Sequence, residues 1–204
     1  MKILIVYYSM YGHVYELARA VEEGAKSVAG AEVMLRRVQE FDAVLQATAS
    51  SEHANASRER QKDVPIVTLD DLRAADGIIF GSPTRYGNMA AQMKQLIDST
   101  APLWLKGELE GKPAGAFTST STTHGGQEST LISMMIPLLH LGMIYVGVPY
   151  STQEILHTEG RGGTPYGPSA VAGPRNELPV AQEDKQVARV LGKRIAEIAK
   201  KLRG

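Results

Sequence analysis

Residues 3–28 read ILIVYYSMYGHVYELARAVEEGAKSV, and this stretch decides the architecture. Ile3 to Tyr8 is an unbroken apolar run, the pattern of a strand covered on both faces. Ser9 to Gly12 interrupts it, and from Val14 to Val28 the residues Val14, Leu17, Ala18, Val21 and Ala25 recur at helical spacing. The alternation then repeats. Glu32 to Val38 reads as a second strand, with Val33, Leu35 and Arg37 on one face and Met34, Arg36 and Val38 on the other. Gly77 to Gly81 is a third strand before a helix over Ala90 to Ser99; Pro113 to Thr118 is a fourth before a helix over Glu128 to Leu141. Met143 to Val148 completes the set of five, and Gln182 to Leu202 forms a closing amphipathic helix. Right-handed crossovers turn this order into an α/β fold, a doubly wound five-stranded parallel sheet with helices on both faces.

Two stretches break the rhythm. Phe41 to Val64 is polar and lies between strands two and three, and Pro149 to Pro179 is rich in Gly and Pro. Loops longer than about 15 residues in a compact domain are usually functional or make partner contacts. No repeat or linker marks a second domain, so residues 1–204 are expected to form one.

Composition excludes several classes of function. The chain has no cysteine, which removes disulfides, thiolate metal sites and cysteine nucleophiles. Lys+Arg and Asp+Glu both number 22, so the zero net charge gives no electrostatic footprint for nucleic acid or anionic membrane. No run reaches the roughly 18 apolar residues of a membrane span, and a cytoplasmic location is expected. No two histidines have metal-ligand spacing, and neither a GxSxG elbow nor HExxH occurs.

Ligands of open α/β sheets lie beyond the carboxyl ends of the strands, where strand order reverses. After strand one comes Ser9-Met10-Tyr11-Gly12-His13-Val14, running into a helix. Unpartnered N–H groups at a helix start suit an anion. The absence of a following lysine excludes a triphosphate loop, and GxGxxG occurs nowhere. Two readings stay open for this loop: a cradle for one terminal phosphate, or a tight turn and helix cap. After strand three, Gly81-Ser82-Pro83-Thr84-Arg85-Tyr86-Gly87-Asn88-Met89 offers hydrogen bonds and a flat tyrosine ring, or is an ordinary strand-to-helix loop. After strand four, Ser119-Thr120-Ser121-Thr122-Thr123-His124-Gly125-Gly126 supplies small donors for the edge of a heteroaromatic ring, or is a solvated turn. A monophosphate at the first loop and a polar-edged ring at the other two describe flavin mononucleotide (FMN).

These motifs, with Gln127-Glu128 and Gly162-Gly163-Thr164-Pro165-Tyr166-Gly167, resemble the WrbA family of flavodoxin-like NAD(P)H:quinone oxidoreductases nearly end to end. The resemblance implies a flavodoxin-like fold, noncovalent FMN, a homotetramer, and two-electron reduction of quinones by NADH or NADPH. On matching positions it implies that Ser9, Met10, Tyr11, Gly12, His13 and Val14 hold the phosphate. Thr84, Arg85 and Tyr86 would hold the ring, and Ser119, Thr120, Ser121, Thr122, Thr123 and His124 its edge and the ribityl chain. His140 would lie beside the flavin, Tyr11 would touch the nicotinamide nucleotide and Trp104 the quinone. Chemistry resides on the flavin, so no side chain other than His140 is a catalytic candidate. Leu141 stands where the family often has a second histidine, and the 41–64 segment is longer than in its shortest members. One exposed flavin face shared by both substrates predicts ping-pong kinetics. Two rival readings remain, a one-electron carrier and a noncatalytic redox-sensing adaptor. Carriers with basic partners are strongly acidic, which the neutral balance here opposes.

Overall fold

The computed structural model describes residues 1–204. In chain order it contains β1 (Lys2–Tyr7), α1 (His13–Lys26), β2 (Glu32–Arg37), α2 (Asp42–Ala47), α3 (Glu52–Gln61) and α4 (Leu69–Ala74). There follow β3 (Gly77–Arg85), β4 (Asn88–Met89), α5 (Ala91–Asp98), α6 (Ala101–Trp104), β5 (Pro113–Thr120) and α7 (Gln127–His140). The chain closes with β6 (Ile144–Tyr145), β7 (Ser169–Val171) and α8 (Gln182–Arg203). The sheet runs β2-β1-β3-β5-β6, all parallel, as the doubly wound reading expects.

The period of two in β1 divides the interior. Ile3, Ile5 and Tyr7 join the core beneath α1 and α8, while Leu4, Val6 and Tyr8 join the core beneath α4, α5 and α7. Every one of these six side chains is buried; full burial of a Leu- or Ile-sized group contributes about 1.5–3 kcal/mol. On the first face α1 and α8 touch backbone to backbone. A Cβ on Gly24 would lie 1.9 Å from the Arg189 carbonyl oxygen, and one on Gly192 2.0 Å from that of Val21.

Three features differ from the sequence reading. The expected strand Met143–Val148 shrinks to β6, and the sheet edge is resumed by β7, which pairs with Thr118–Thr120 at the far end of β5. Val146 makes one last bond to β5, its N–H donating to the Ala114 carbonyl (2.7 Å), and with Val148 it is buried in the α1/α8 core, so beyond that point the apolarity of the run is satisfied by packing. β3 extends to Arg85 and turns into the small antiparallel strand β4. The 41–64 segment is mainly helical, forming α2 and α3.

Strand order diverges at β1, whose neighbours are β2 on one side and β3 on the other. The carboxyl ends of β1, β3 and β5 therefore open on one crevice.

Candidate functional site

The crevice is lined by Ser9, Met10, Tyr11, His13 and Val14 after β1, and by Pro83, Thr84 and Arg85 from β3. Ser119, Thr120 and Ser121 come from the end of β5, and Ala172 and Asn176 follow β7. The three loops singled out in the sequence thus meet.

At the first loop Gly12 is the residue before α1 and has φ 101°, a conformation costly for any residue with a Cβ. This turn lets the Ser9 Oγ accept from the N–H groups of Gly12 (3.2 Å) and Tyr15 (3.1 Å). The N–H groups of Met10, Tyr11, His13 and Val14 have no acceptor in the chain, and the Ser9 hydroxyl proton is likewise untaken. Four free backbone donors and one hydroxyl, at the positive end of a 14-residue helix dipole, suit an anion. His13 is anchored through Nε2, 2.9 Å from the Leu178 carbonyl oxygen.

The second loop is a hairpin. Arg85 pairs with Asn88, and the intervening Tyr86 and Gly87 have φ 55° and 76°, both positive as a type I′ turn requires. The left-handed backbone of Tyr86 costs of order 1 kcal/mol and leaves its ring wholly exposed, a local strain of the kind found at ligand sites. Thr84 Oγ1 holds the turn, accepting from the Gly87 N–H (3.2 Å) and bonding to Thr130 Oγ1 of α7 (2.9 Å). Arg85 donates to the Thr84 carbonyl (2.9 Å) and lies 3.8 Å from Met10 Sδ, spanning the first two loops.

The third loop divides. Ser119, Thr120 and Ser121 face the crevice. Thr123 and His124 line a separate cavity of about 330 Å³ with Tyr150, His157 and Arg161. Thr122 lies between and turns its carbonyl back to the Thr120 hydroxyl (2.8 Å). Trp104 and His140 lie elsewhere, in a groove of about 340 Å³ with Ile97, Pro137 and Leu141 that shares no residue with the crevice. Within one chain the structure therefore brings together the first motif, Thr84 and Arg85 of the second and half of the third, and leaves Tyr86 exposed outside the lining and Trp104 and His140 apart.

Sequence reasoning missed three contributors. Asn176 reaches the crevice from the loop after β7. Gln61 of α3 donates from Nε2 to the Ser9 carbonyl (3.2 Å), tying the 41–64 segment to the first loop. Arg60 places Nη2 2.0 Å from where a Gly12 Cβ would stand. Nothing in the polar α3 sequence, which has no apolar stripe, signals that role. Behind the loop, burial and a 2.6 Å hydrogen bond to Glu40 push the Tyr8 phenol far above its ordinary range, so it stays protonated and serves as a donor.

The donor set fits FMN. The crevice holds about 70 Å³, room for roughly five waters, the scale of an anionic head group, and it is open on one side.

Residues 1–155 match the family model described as NADPH-dependent FMN reductase. A protein of Syntrophobacter fumaroxidans named NAD(P)H dehydrogenase (quinone) is 49% identical over 203 residues, 99% of this chain and 98% of the relative. One of Geobacter sulfurreducens with the same name is 48% identical over the whole of both chains. The chain belongs to the NAD(P)H dehydrogenase (quinone) family. Solved structures similar to this member of the family include a WrbA-like flavodoxin from Agrobacterium tumefaciens, 24% identical with TM-score 0.67 over 98% of both chains. An archaeal flavodoxin is 22% identical with TM-score 0.61 over 98% of this chain and 99% of that one. These two establish the fold of the quinone dehydrogenase family member, which is flavodoxin-like, and the resemblance to WrbA read from its motifs is borne out.

Proposed function

We propose that the chain is an FMN-dependent NAD(P)H:quinone oxidoreductase, reducing quinones to hydroquinones in a ping-pong cycle over one exposed face of the flavin. The observation that carries this reading is the set of unpartnered donors on Ser9, Met10, Tyr11, His13 and Val14, in one crevice with Thr84, Arg85 and the Ser119–Ser121 edge. Bound FMN supplies the two-electron chemistry that takes reducing equivalents from NAD(P)H and hands them to the quinone. The protein's share is placement. Ser9 and the N–H groups of Met10, Tyr11, His13 and Val14 hold the phosphate. Thr84 and Arg85 fix one side of the ring, and Ser119, Thr120 and Ser121 its polar edge. Tyr86 offers a flat surface on which planar substrates stack, and Tyr11 lies within reach of the nicotinamide nucleotide.

We further propose that the molecule works in the cytoplasm as a homotetramer, with all 204 residues forming the FMN-binding domain. Trp104, Leu105, Ile136, Leu139 and Ile144 leave large apolar side chains exposed on and around α6 and α7. Burying that face in an assembly gives the Trp104/His140 groove a route to a flavin site, because a neighbouring copy rather than the same chain would present it. His124, with Thr122 and Thr123, would then act on the outer side of the loop that holds the ring edge.

The test is direct. The purified protein titrated with FMN should bind it with a shifted visible spectrum, and should then oxidise NADH or NADPH rapidly only when benzoquinone is present. Parallel double-reciprocal plots are expected. A folded protein with no affinity for FMN removes the proposal, and FMN binding without turnover leaves the carrier or the adaptor.

A further inference from the structure

The first loop contains no lysine or arginine, yet a cation reaches it from outside. α3 carries Ser57, Arg60 and Gln61 on one helical face. Ser57 and Gln61 are buried and lock the helix in place: Gln61 Nε2 donates to the carbonyls of Ser57 (2.9 Å) and Ser9 (3.2 Å) and to Ser57 Oγ (2.6 Å). This register leaves Arg60 directly over the turn at Gly12, its Nη2 2.0 Å and its Cζ 3.2 Å from the position a Gly12 Cβ would take. Its other terminal nitrogen, Nη1, donates to Glu16 Oε1 (3.2 Å) on the first turn of α1. Lys185 of α8 binds the second oxygen of the same carboxylate at 3.2 Å. The cluster of Arg60, Glu16 and Lys185 thus carries one net positive charge beside a row of neutral donors.

We infer that Arg60 is a specificity-determining residue that gives this otherwise neutral loop a preference for phosphorylated over unphosphorylated flavin. The inference rests on the FMN reading above and assigns a task to the 41–64 segment: it delivers one charge to the anion end of the crevice. Arg60 is half exposed, so the attraction is partly screened and salt-sensitive. For a phosphate of nearly two negative charges, its removal should weaken FMN binding by about fivefold.

The experiment compares wild type, Arg60→Met, Arg60→Lys and Glu16→Gln, titrated with FMN and with riboflavin by flavin fluorescence at low and high salt. Thermal denaturation of the flavin-free proteins with inorganic phosphate is a second readout. Arg60→Met should raise the Kd for FMN about fivefold, leave that for riboflavin unchanged, flatten the salt dependence and shrink the thermal shift from phosphate. Arg60→Lys should retain part of the preference. Glu16→Gln, which frees the guanidinium of its carboxylate, should hold or tighten FMN. Equal losses for FMN and riboflavin, or a Glu16→Gln loss as large as that of Arg60→Met, would show that Arg60 only fastens α3 to α1 and overturn the inference. Unchanged FMN binding in Arg60→Met overturns it as well, leaving the FMN reading intact. Wild type that binds neither FMN nor phosphate brings down both.

Discussion

Replacing Ser9 with alanine separates the two things its hydroxyl does. The oxygen accepts from the backbone N–H groups of Gly12 and Tyr15, at 3.2 and 3.1 Å, and so caps α1 from three residues before the turn. Loss of such a cap costs about 1–2 kcal/mol, which for a chain of this length lowers Tm by roughly 2–8 °C in the flavin-free protein. The hydroxyl proton has no acceptor in the chain, and in the proposed complex it goes to a phosphate oxygen. A hydrogen bond to a charged partner contributes about 1.5–3 kcal/mol, so the Kd for FMN should rise roughly 10- to 150-fold. Riboflavin lacks that oxygen and should lose less than about threefold, through slackening of the loop alone. Fluorescence titration of both ligands against Ser9→Ala, alongside denaturation of the flavin-free protein, gives the two numbers independently. A drop in Tm with equal weakening of both flavins would mean that Ser9 is a helix cap and nothing more, and the phosphate cradle would have to be abandoned.

Three other outcomes are expected. Gly81→Ala should destabilise by about 1–3 kcal/mol in urea, because its Cβ would stand 2.2–2.9 Å from three ring carbons of the buried Phe117, and Phe117→Leu in the same chain should recover part of the loss. Asp184 is buried and accepts from the N–H groups of Gly162 (2.6 Å) and Ala181 (3.3 Å), but burial outweighs these bonds and raises its carboxyl above the ordinary 3.8. The folded state therefore holds this proton more tightly than the unfolded chain, a contribution present below pH 3.8 and lost as pH rises through the folded value. Urea denaturation should show Asp184→Asn gaining on wild type from pH 4 to pH 7; a constant difference would contradict the assignment. Ile136→Glu with Leu139→Lys, on the exposed face of α7, should shift the assembly to smaller species by light scattering, and an unchanged mass would exclude that face from the interface.

What could be read from the sequence followed from how much of each signal was local. β1 was legible because Ile3 to Tyr8 needs cover on both faces, and only a central strand provides it. The Ser/Thr run after β5 announced a polar edge, but a list of hydroxyls does not say which side of the loop each will face, and Thr123 and His124 turn away from the crevice. Trp104 and His140 carried no signal of their distance from Ser9, since one lies on α6 and the other at the end of α7. The 41–64 segment was illegible for a different reason. α3 is held by Gln61 and Ser57 hydrogen bonds rather than by an apolar stripe, and polar anchoring leaves no periodicity to detect.

The interrupted edge of the sheet has an architectural consequence. Tyr145 pairs with Ala114 and Ser169 with Thr118, so the departure and return points of the detour are four β5 residues, or about 13 Å, apart. Everything from Val146 to Pro168 hangs from that gap like a pendant, and three residues would bridge it. The scaffold can therefore exchange this module for shorter or longer versions while the loops after β1 and β3 stay in place, and only Thr123 and His124 of the third loop, which pack against it, would need new partners. A graft must bring its own plugs for the hollows now filled by Val146, Val148 and Ile155, and a donor to replace the Gly162 N–H that meets buried Asp184.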